Sequence, residues 1–245
     1  MTAASVARLE SLLRERKLDR TTSHSFDPKT SDLAETGLAA LDELLGGGFP
    51  RGHLSEIVGA GSSGRTGVLT TVCGAAMARG ELVALVDACD RFDPVSAEAA
   101  GLDLSSLLWI RGRERTRDLA QTVKQVLKAM NLVLDAGGFG VVALDLSDAP
   151  IRVLRQLPMT TWLRLSRVLE HSRTVGLVLA PEPVARSSEG QTVVLDGNVE
   201  AGWAGDHDRG RVFAGLESRA QVIRIRRPVD TFVTLRSTYP TPEEQ

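Results

Sequence analysis

Apolar residues along this chain fall into two rhythms. Short, predominantly apolar runs occur at 54–58, 82–86, 107–110, 141–146 and 175–179, with Ser55, Glu56 and Asp145 as their polar members. Runs of that length and composition suit strands buried on both faces. Between them lie longer segments whose apolar positions recur every three or four residues, at 67–78, 94–100, 117–134 and 161–169. In the 117–134 segment the stripe is Leu119, Val123, Val126, Leu127 and Met130. Strands alternating with amphipathic helices predict an α/β protein with a mostly parallel central sheet flanked by helices.

The two ends of the chain break this alternation. Residues 3–17 read as an amphipathic helix with Val6, Leu9, Leu12 and Leu13 on one face and Arg8, Arg14 and Arg16 elsewhere. A polar linker, 19–31, follows, so this stripe packs back on the core, on a partner, or on a second copy. A second helix spans 36–45 and stops at Gly46-Gly47-Gly48, and 49–52 reads as a turn. The glycine-dense stretch 181–220 reads as loops and irregular hairpins, closed by strands at 221–225 and 231–235. The expected organisation is an N-terminal helical arm and linker (1–30), a core (31–237) and a disordered acidic tail (238–245).

With 245 residues and 42% hydrophobic content, the chain can bury one sizeable core. Its formal charge of −2 supplies no global basic field, so any contact with nucleic acid has to come from a local patch. Two cysteines, Cys73 and Cys89, are too few for a disulfide scaffold and lack metal-site spacing, so no metal centre is expected. No signal peptide stands at the N-terminus and no apolar run reaches membrane-spanning length, which leads to the expectation of a soluble cytoplasmic protein.

One stretch carries candidate chemistry. Gly59-Ala60-Gly61-Ser62-Ser63-Gly64-Arg65-Thr66 follows an apolar strand and opens a helix. Glycines there let successive backbone N–H groups converge on an anion, and the helix N-terminus adds a favourable dipole. Phosphate loops of this kind read G-x-x-x-x-G-K-[ST], with the lysine on the phosphates and the hydroxyl on Mg²⁺. Here the candidate nucleotide-site residues are Gly59, Gly61, Ser62, Ser63, Gly64, Arg65 and Thr66, with Asp145 as the acidic residue at the end of a neighbouring strand. Arginine at position 65 is a planar fork where the loop wants a compact point charge. It either points outward as a solvated or ion-paired group or reaches a phosphate in a different geometry.

Several motifs in order resemble the RecA recombinase core: Thr36-Gly37-Leu38-Ala39-Ala40-Leu41-Asp42, Gly46-Gly47-Gly48-Phe49-Pro50-Arg51-Gly52, the loop itself, and Val86-Asp87-Ala88-Cys89-Asp90-Arg91-Phe92-Asp93-Pro94. The resemblance implies a RecA-type P-loop fold, and it also exposes departures. Where that family places a water-activating glutamate, this chain has Cys89; where it places an adenine-stacking tyrosine, Ser96 stands. The strand that ends in a phosphate-sensing glutamine is followed here by Ala180-Pro181-Glu182. A thiol is mostly protonated at neutral pH and replaces a carboxylate base poorly; the plain reading of Cys89 is a small buried hydrophobe. Asp90 is the fallback catalytic carboxylate.

An intact scaffold with eroded catalytic groups resembles the ImuA family, RecA-like accessory proteins of bacterial mutagenic repair cassettes. That resemblance implies a non-hydrolysing adaptor, a pseudo-ATPase with no required cofactor and at most weak Mg·ATP binding. It would act in damage-induced (SOS) translesion synthesis through RecA, an ImuB-type inactive polymerase and an error-prone polymerase, and would be nucleoid-associated. Two alternatives stay open: an active DNA-dependent ATPase using a relocated carboxylate, and a nucleotide-binding switch without turnover.

The RecA-type DNA loops correspond to 147–160 and 181–215, which contain Arg152, Arg155, Arg186, Arg209 and Arg211. The second stretch also holds Glu182, Glu189, Asp196, Glu200, Asp206 and Asp208, so it is net acidic and predicts weak or indirect DNA contact. The run Arg111, Arg113, Arg115, Arg117 reads as a solvated helix entry, and Trp203 as a base-stacking, partner-anchoring or local core residue. By the same resemblance, Val6, Leu9, Leu12 and Leu13 would dock on a partner or on a second copy.

Overall fold

The computed structural model describes residues 33–112, 119–185, 190–197, 199–205, 211–224 and 227–238. The N-terminal arm with Val6, Leu9, Leu12 and Leu13, the arginines at 113, 115, 117, 186 and 209, and the tail from 239 onward lie outside the described residues.

In chain order the strands are β1 (Leu33–Ala34), β2 (Phe49–Pro50), β3 (Leu54–Gly59), β4 (Leu82–Asp87), β5 (Leu107–Arg111), β6 (Phe139–Asp145), β7 (Val175–Ala180), β8 (Thr192–Leu195), β9 (Glu200–Ala204), β10 (Val212–Arg224) and β11 (Arg227–Thr238). The helices are α1 (Ala39–Leu45), α2 (Arg65–Ala78), α3 (Pro94–Ala99), α4 (Leu119–Ala136), α5 (Ile151–Leu154) and α6 (Met159–Leu169). One large sheet runs in the order β11-β10-β8-β3-β7-β6-β4-β5, with β9 beside β10. From β8 to β5 every neighbouring pair is parallel; β10, β11 and β9 extend the sheet in antiparallel fashion. This is an α/β fold with a mostly parallel sheet flanked by helices, as the apolar rhythm predicts.

Largely apolar runs are explained by cover on both faces. Along β6, Val141 and Ala143 face the layer of α1, α2 and α3, whereas Val142 and Leu144 face α4, α5 and α6. Each leucine or valine removed from water in this way contributes about 1.5–3 kcal/mol. The same alternation puts Asp87 on β4 and Asp145 on β6 toward the α2 side, one residue beyond the last apolar position on each strand. Among the described residues no helix is long and apolar enough to cross a membrane.

Two readings of the sequence are corrected. Residues 49–50 are a short strand paired with Leu33–Ala34, not only a turn. The stretch 181–220 holds more regular strand than loops and irregular hairpins imply, because β8, β9 and the first nine residues of β10 lie in it, although the β9–β10 pairing is itself irregular. Gly202 and Gly215 face each other across β9 and β10, where the register shifts. Glycines that serve a bulged hairpin look, in sequence, like those of a loop. The helix at 151–154 also went unforeseen.

At the opposite end of the sheet from the phosphate-type loop, Glu81 is clamped between two arginines. Its carboxylate meets Arg51 Nη2 at 2.5 Å and Arg79 Nη2 at 3.1 Å. Arg51 Nη1 donates to the carbonyl of Arg173 at 2.8 Å, and Arg79 Nη1 to that of Glu35 at 3.0 Å. The cluster joins the segments entering β3, β4 and β7. Arg51 and Glu81 are both buried, so removing one charge strands the other. Glu81→Gln should lower unfolding free energy by roughly 3 kcal/mol, measured by urea denaturation; a loss within about 0.5 kcal/mol would mean that the cluster is structurally idle.

Candidate functional site

The loop between β3 and α2 is built by steric demand. A Cβ at Gly59 would lie 2.6 Å from Ser63 Oγ and 2.7 Å from the carbonyl oxygen of Leu195, so only glycine fits. Gly64 takes φ 93° at the cap of α2, and Ser62 takes φ 61°, a left-handed value uncommon for a non-glycine residue. The Ser63 hydroxyl is buried with no hydrogen-bond partner. Thr66 stands exposed in the first turn.

Arg65 opens α2, and its side chain turns inward. The residue is only 7% exposed, and its Nη1 is buried without a partner. The outward, solvated reading is therefore excluded. Burial lowers the guanidinium pKa from its ordinary value, and the carboxylates of Asp145 and Asp148 offset part of that effect. The group stays charged, as arginine does in proteins.

Facing it are the ends of β4 and β6. Asp87 and Asp145 are direct register partners on adjacent parallel strands. Asp87 is fully buried and accepts hydrogen bonds from the backbone N–H groups of Cys89 (3.2 Å) and Phe92 (2.8 Å). Asp145 accepts from the Ser147 N–H at 2.8 Å. Burial raises the Asp145 pKa; the Ser147 hydrogen bond pulls it down, Asp87 adds repulsion, and Arg65 relieves it. These groups line one cavity of about 160 Å³. Arg65, Thr66, Asp87, Asp145 and Asp148 form its polar end, and Leu69, Leu85, Phe92 and Leu102 its apolar end.

Cys89 also lines the cavity, half-buried. Its thiol pKa is pushed up to about 11, by burial first and then by Asp148, Asp145 and Asp87. A thiol so placed is neither base nor thiolate nucleophile at neutral pH. Cys73, from α2, lines the same cavity and is fully buried, its thiol pushed up to about 12 by burial.

Two other sequence candidates lie elsewhere. Asp90, with φ 55°, is locked to Arg111 by two hydrogen bonds of 2.7 and 2.8 Å and is not among the residues lining the cavity. The Arg111 hydrogen bond holds its carboxyl below the ordinary value, and Arg111 also lies 4.4 Å over the Trp109 ring. Ser96 is likewise absent from the lining; its hydroxyl donates to Asp93, the residue that caps α3. Beyond β7, Glu182 pairs with Arg155 of the loop following α5 at 2.5 Å. Arg152 is exposed on α5, while Arg211 lies at the start of β10 on the antiparallel extension. Trp203 is exposed on β9 and meets Phe213 edge-to-face across the strands. Sequence reasoning gave Asp87 no role, although it ends an apolar run just as Asp145 does. Among the described residues no cluster of His, Cys, Asp and Glu has a metal-binding arrangement.

Comparison with known proteins follows this geometry. The family model of the RecA N-terminal domain matches residues 21–151. The RecA protein of Methylococcus capsulatus is 38% identical over 115 residues, covering 46% of this chain and 31% of that protein. RecA of Thermus thermophilus is 35% identical over 115 residues, 46% of this chain and 32% of its own. RecA of Lactobacillus acidophilus is 27% identical over 159 residues, 59% and 42% of the two chains. The chain thus spans less than half the length of the curated relatives it matches. Among solved structures, the RadB recombinase superposes with a TM-score of 0.56 at 17% identity, covering 83% of this chain and 96% of that one; the likeness shows the fold.

Removing the Arg65 charge has a definite pH signature. Asp145 titrates higher in the folded chain than in the unfolded one, so its ionisation costs stability as pH rises through the carboxylate range. Without Arg65 that cost grows. Arg65→Gln should be close to neutral near pH ~4 and destabilising by on the order of 1–3 kcal/mol at pH ~7. A destabilisation that is flat across that range would show that Arg65 does not compensate Asp145. In the unaltered protein, iodoacetamide labelling of Cys89, followed by peptide mass spectrometry, should accelerate only toward pH ~11; rapid labelling at pH ~7 would contradict the burial argument.

Proposed function

The chain belongs to the RecA N-terminal domain family, and on that premise we propose that it is a non-hydrolysing, RecA-like adaptor in DNA-damage tolerance. Its RecA-like core supports a role connected with DNA repair and recombination. The carrying observation is the inward, buried Arg65, whose charge lies in the field of the chain's own Asp145 and Asp148. A lysine in that place would extend to a nucleotide's terminal phosphates. At and beside the position of the family's base, Cys89 keeps its proton and Asp90 is held by Arg111.

The finer reading places the protein with the ImuA-type accessory factors of induced translesion synthesis, in the cytoplasm. Its partners would be RecA, an ImuB-type inactive polymerase and an error-prone polymerase, with DNA contacted weakly or indirectly through residues such as Arg152, Arg155 and Arg211. Self-association through Val6, Leu9, Leu12 and Leu13 belongs to the same reading.

A second reading, a nucleotide-binding switch without turnover, is favoured by one observation. Ser63 Oγ and Arg65 Nη1 are both buried without partners in the loop that would cradle a phosphate. Mg·ATP would be held there by the loop amides, by Thr66 and by Asp145. Against a whole nucleotide stands the cavity itself, about 160 Å³, where small-molecule pockets run to roughly 300–1,000 Å³.

One experiment with paired arms separates these readings. Phosphate release by the protein, with and without single-stranded DNA, should match that of Arg65→Ala, while co-purification should retain RecA and the ImuB-type partner without ATP. Turnover that Arg65→Ala abolishes would overturn the adaptor reading. Calorimetric heat with Mg·ATP, without turnover, would select the switch.

A further inference from the structure

Helix α6 is amphipathic in an unusual way. Its inner face is Trp162, Leu165 and Leu169, all buried. Its outer face begins with two more apolar residues, Met159 at 52% exposure and Leu163 at 49%. Four residues apart, they make one stripe, which continues to exposed Arg167, with exposed Arg164 beside it. Exposed leucine and methionine at helical spacing have no local packing to explain them.

Met159, at the start of this stripe, lines a groove of about 500 Å³ between α5, the start of α6 and the segment after β7. Leu154 and Trp162 are its buried members, and Leu157, Met159, Pro183 and Val184 complete its apolar lining. At its rim, Arg155 and Glu182 neutralise each other at 2.5 Å. On the two helices that border it, α5 and α6, the exposed charges are positive. Arg152 on α5 and Arg164 and Arg167 on α6 are exposed and make no ion pair among the described residues; Lys124 and Lys128 are exposed on α4, which packs against α6. A chain of net charge −2 thus has only cations among the exposed charges of the two helices beside this apolar slot.

We propose that this groove is a docking site for an acidic amphipathic helix of a partner protein, whose apolar side chains enter the slot and whose carboxylates face Arg152, Arg164 and Arg167. Charge complementarity selects that occupant. The chain's own N-terminal segment has a suitable apolar stripe, but residues 1–20 hold five basic and three acidic side chains, so an arginine-flanked groove repels it. A nucleic acid strand would satisfy the arginines and leave Met159 and Leu163 facing phosphates. No exposed aromatic ring lines the groove for base stacking, since Trp162 is 3% exposed. The surface shares no lining residue with the nucleotide-type cavity, so the proposal is independent of the nucleotide readings; Arg152 and Arg155 are common to it and to the weak DNA contact, which the oligonucleotide arm of the test separates.

The test uses the full-length protein and a fluorescein-labelled synthetic helix of about 18 residues, with leucines at i, i+4, i+7 spacing and glutamates on the opposite face. Fluorescence anisotropy should show saturable binding. Two changes should each weaken it about tenfold: Leu163→Glu, and Arg164→Glu combined with Arg167→Glu. All three positions are exposed, and unchanged thermal melts would show the variants folded. A control peptide with serine for leucine should also bind about tenfold more weakly. Equal affinity for the serine peptide, or for a labelled single-stranded oligonucleotide that competes at the same site, would overturn the proposal in favour of a general polyanion surface. No binding would overturn it outright. If Leu9→Glu with Leu12→Glu tightened peptide binding tenfold, the chain's own arm would be the occupant, and the proposal would fail.

Discussion

Two carboxylates held side by side where water is scarce set the terms for the rest of this molecule. Asp87 and Asp145 are brought into register by parallel strands whose other positions are apolar. Asp87 is satisfied by two backbone N–H groups of the turn that follows it. Asp145 has one such bond and needs a cation nearby. The first residue of α2 supplies it. Because the helix start is fixed by the loop, and the loop by the packing of Gly59 against β8, the position of that cation follows from the whole central sheet. Its Nη1 keeps no hydrogen-bond partner of its own on the wall of the cavity.

The loop therefore has the architecture of a phosphate cradle with its charge turned inward. The same displacement is visible around it. Asp90, the nearest spare carboxylate in sequence, is fastened to Arg111 and so to the Trp109–Phe92 pair. Ser96 serves the cap of α3. Asp90 and Ser96 thus each have a structural partner of their own.

Much of the fold was legible because burial on both faces leaves a clear trace: five largely apolar runs became β3, β4, β5, β6 and β7, with Ser55 and Glu56 the buried polar exceptions in β3. Of the antiparallel extension, the closing pair of strands read at 221–225 and 231–235 was legible and overlaps β10 and β11. β9 and the first part of β10 were not, because they are half-exposed and the Gly202–Gly215 pairing is visible only once the register is known. In the site, Thr66 and Asp145 were readable from motif and strand-end position. The direction of the Arg65 side chain was not, since it depends on the depth of the strand ends behind it. Asp90 looked available because sequence shows adjacency to Cys89 but not the left-handed backbone that swings it toward Arg111.

Gly59 has a consequence for how such chains are recognised. Its neighbours, Ser63 Oγ and the carbonyl of Leu195, leave no room for a methyl group, so any other residue there would disrupt the junction of β3, α2 and β8 whether or not a nucleotide ever binds. The glycine signature of a phosphate loop can thus outlast the chemistry it advertises. In a descendant that has abandoned turnover, the motif becomes a record of ancestry kept by packing. Evidence of enzymatic activity has then to be sought in the side chains that folding leaves free to change.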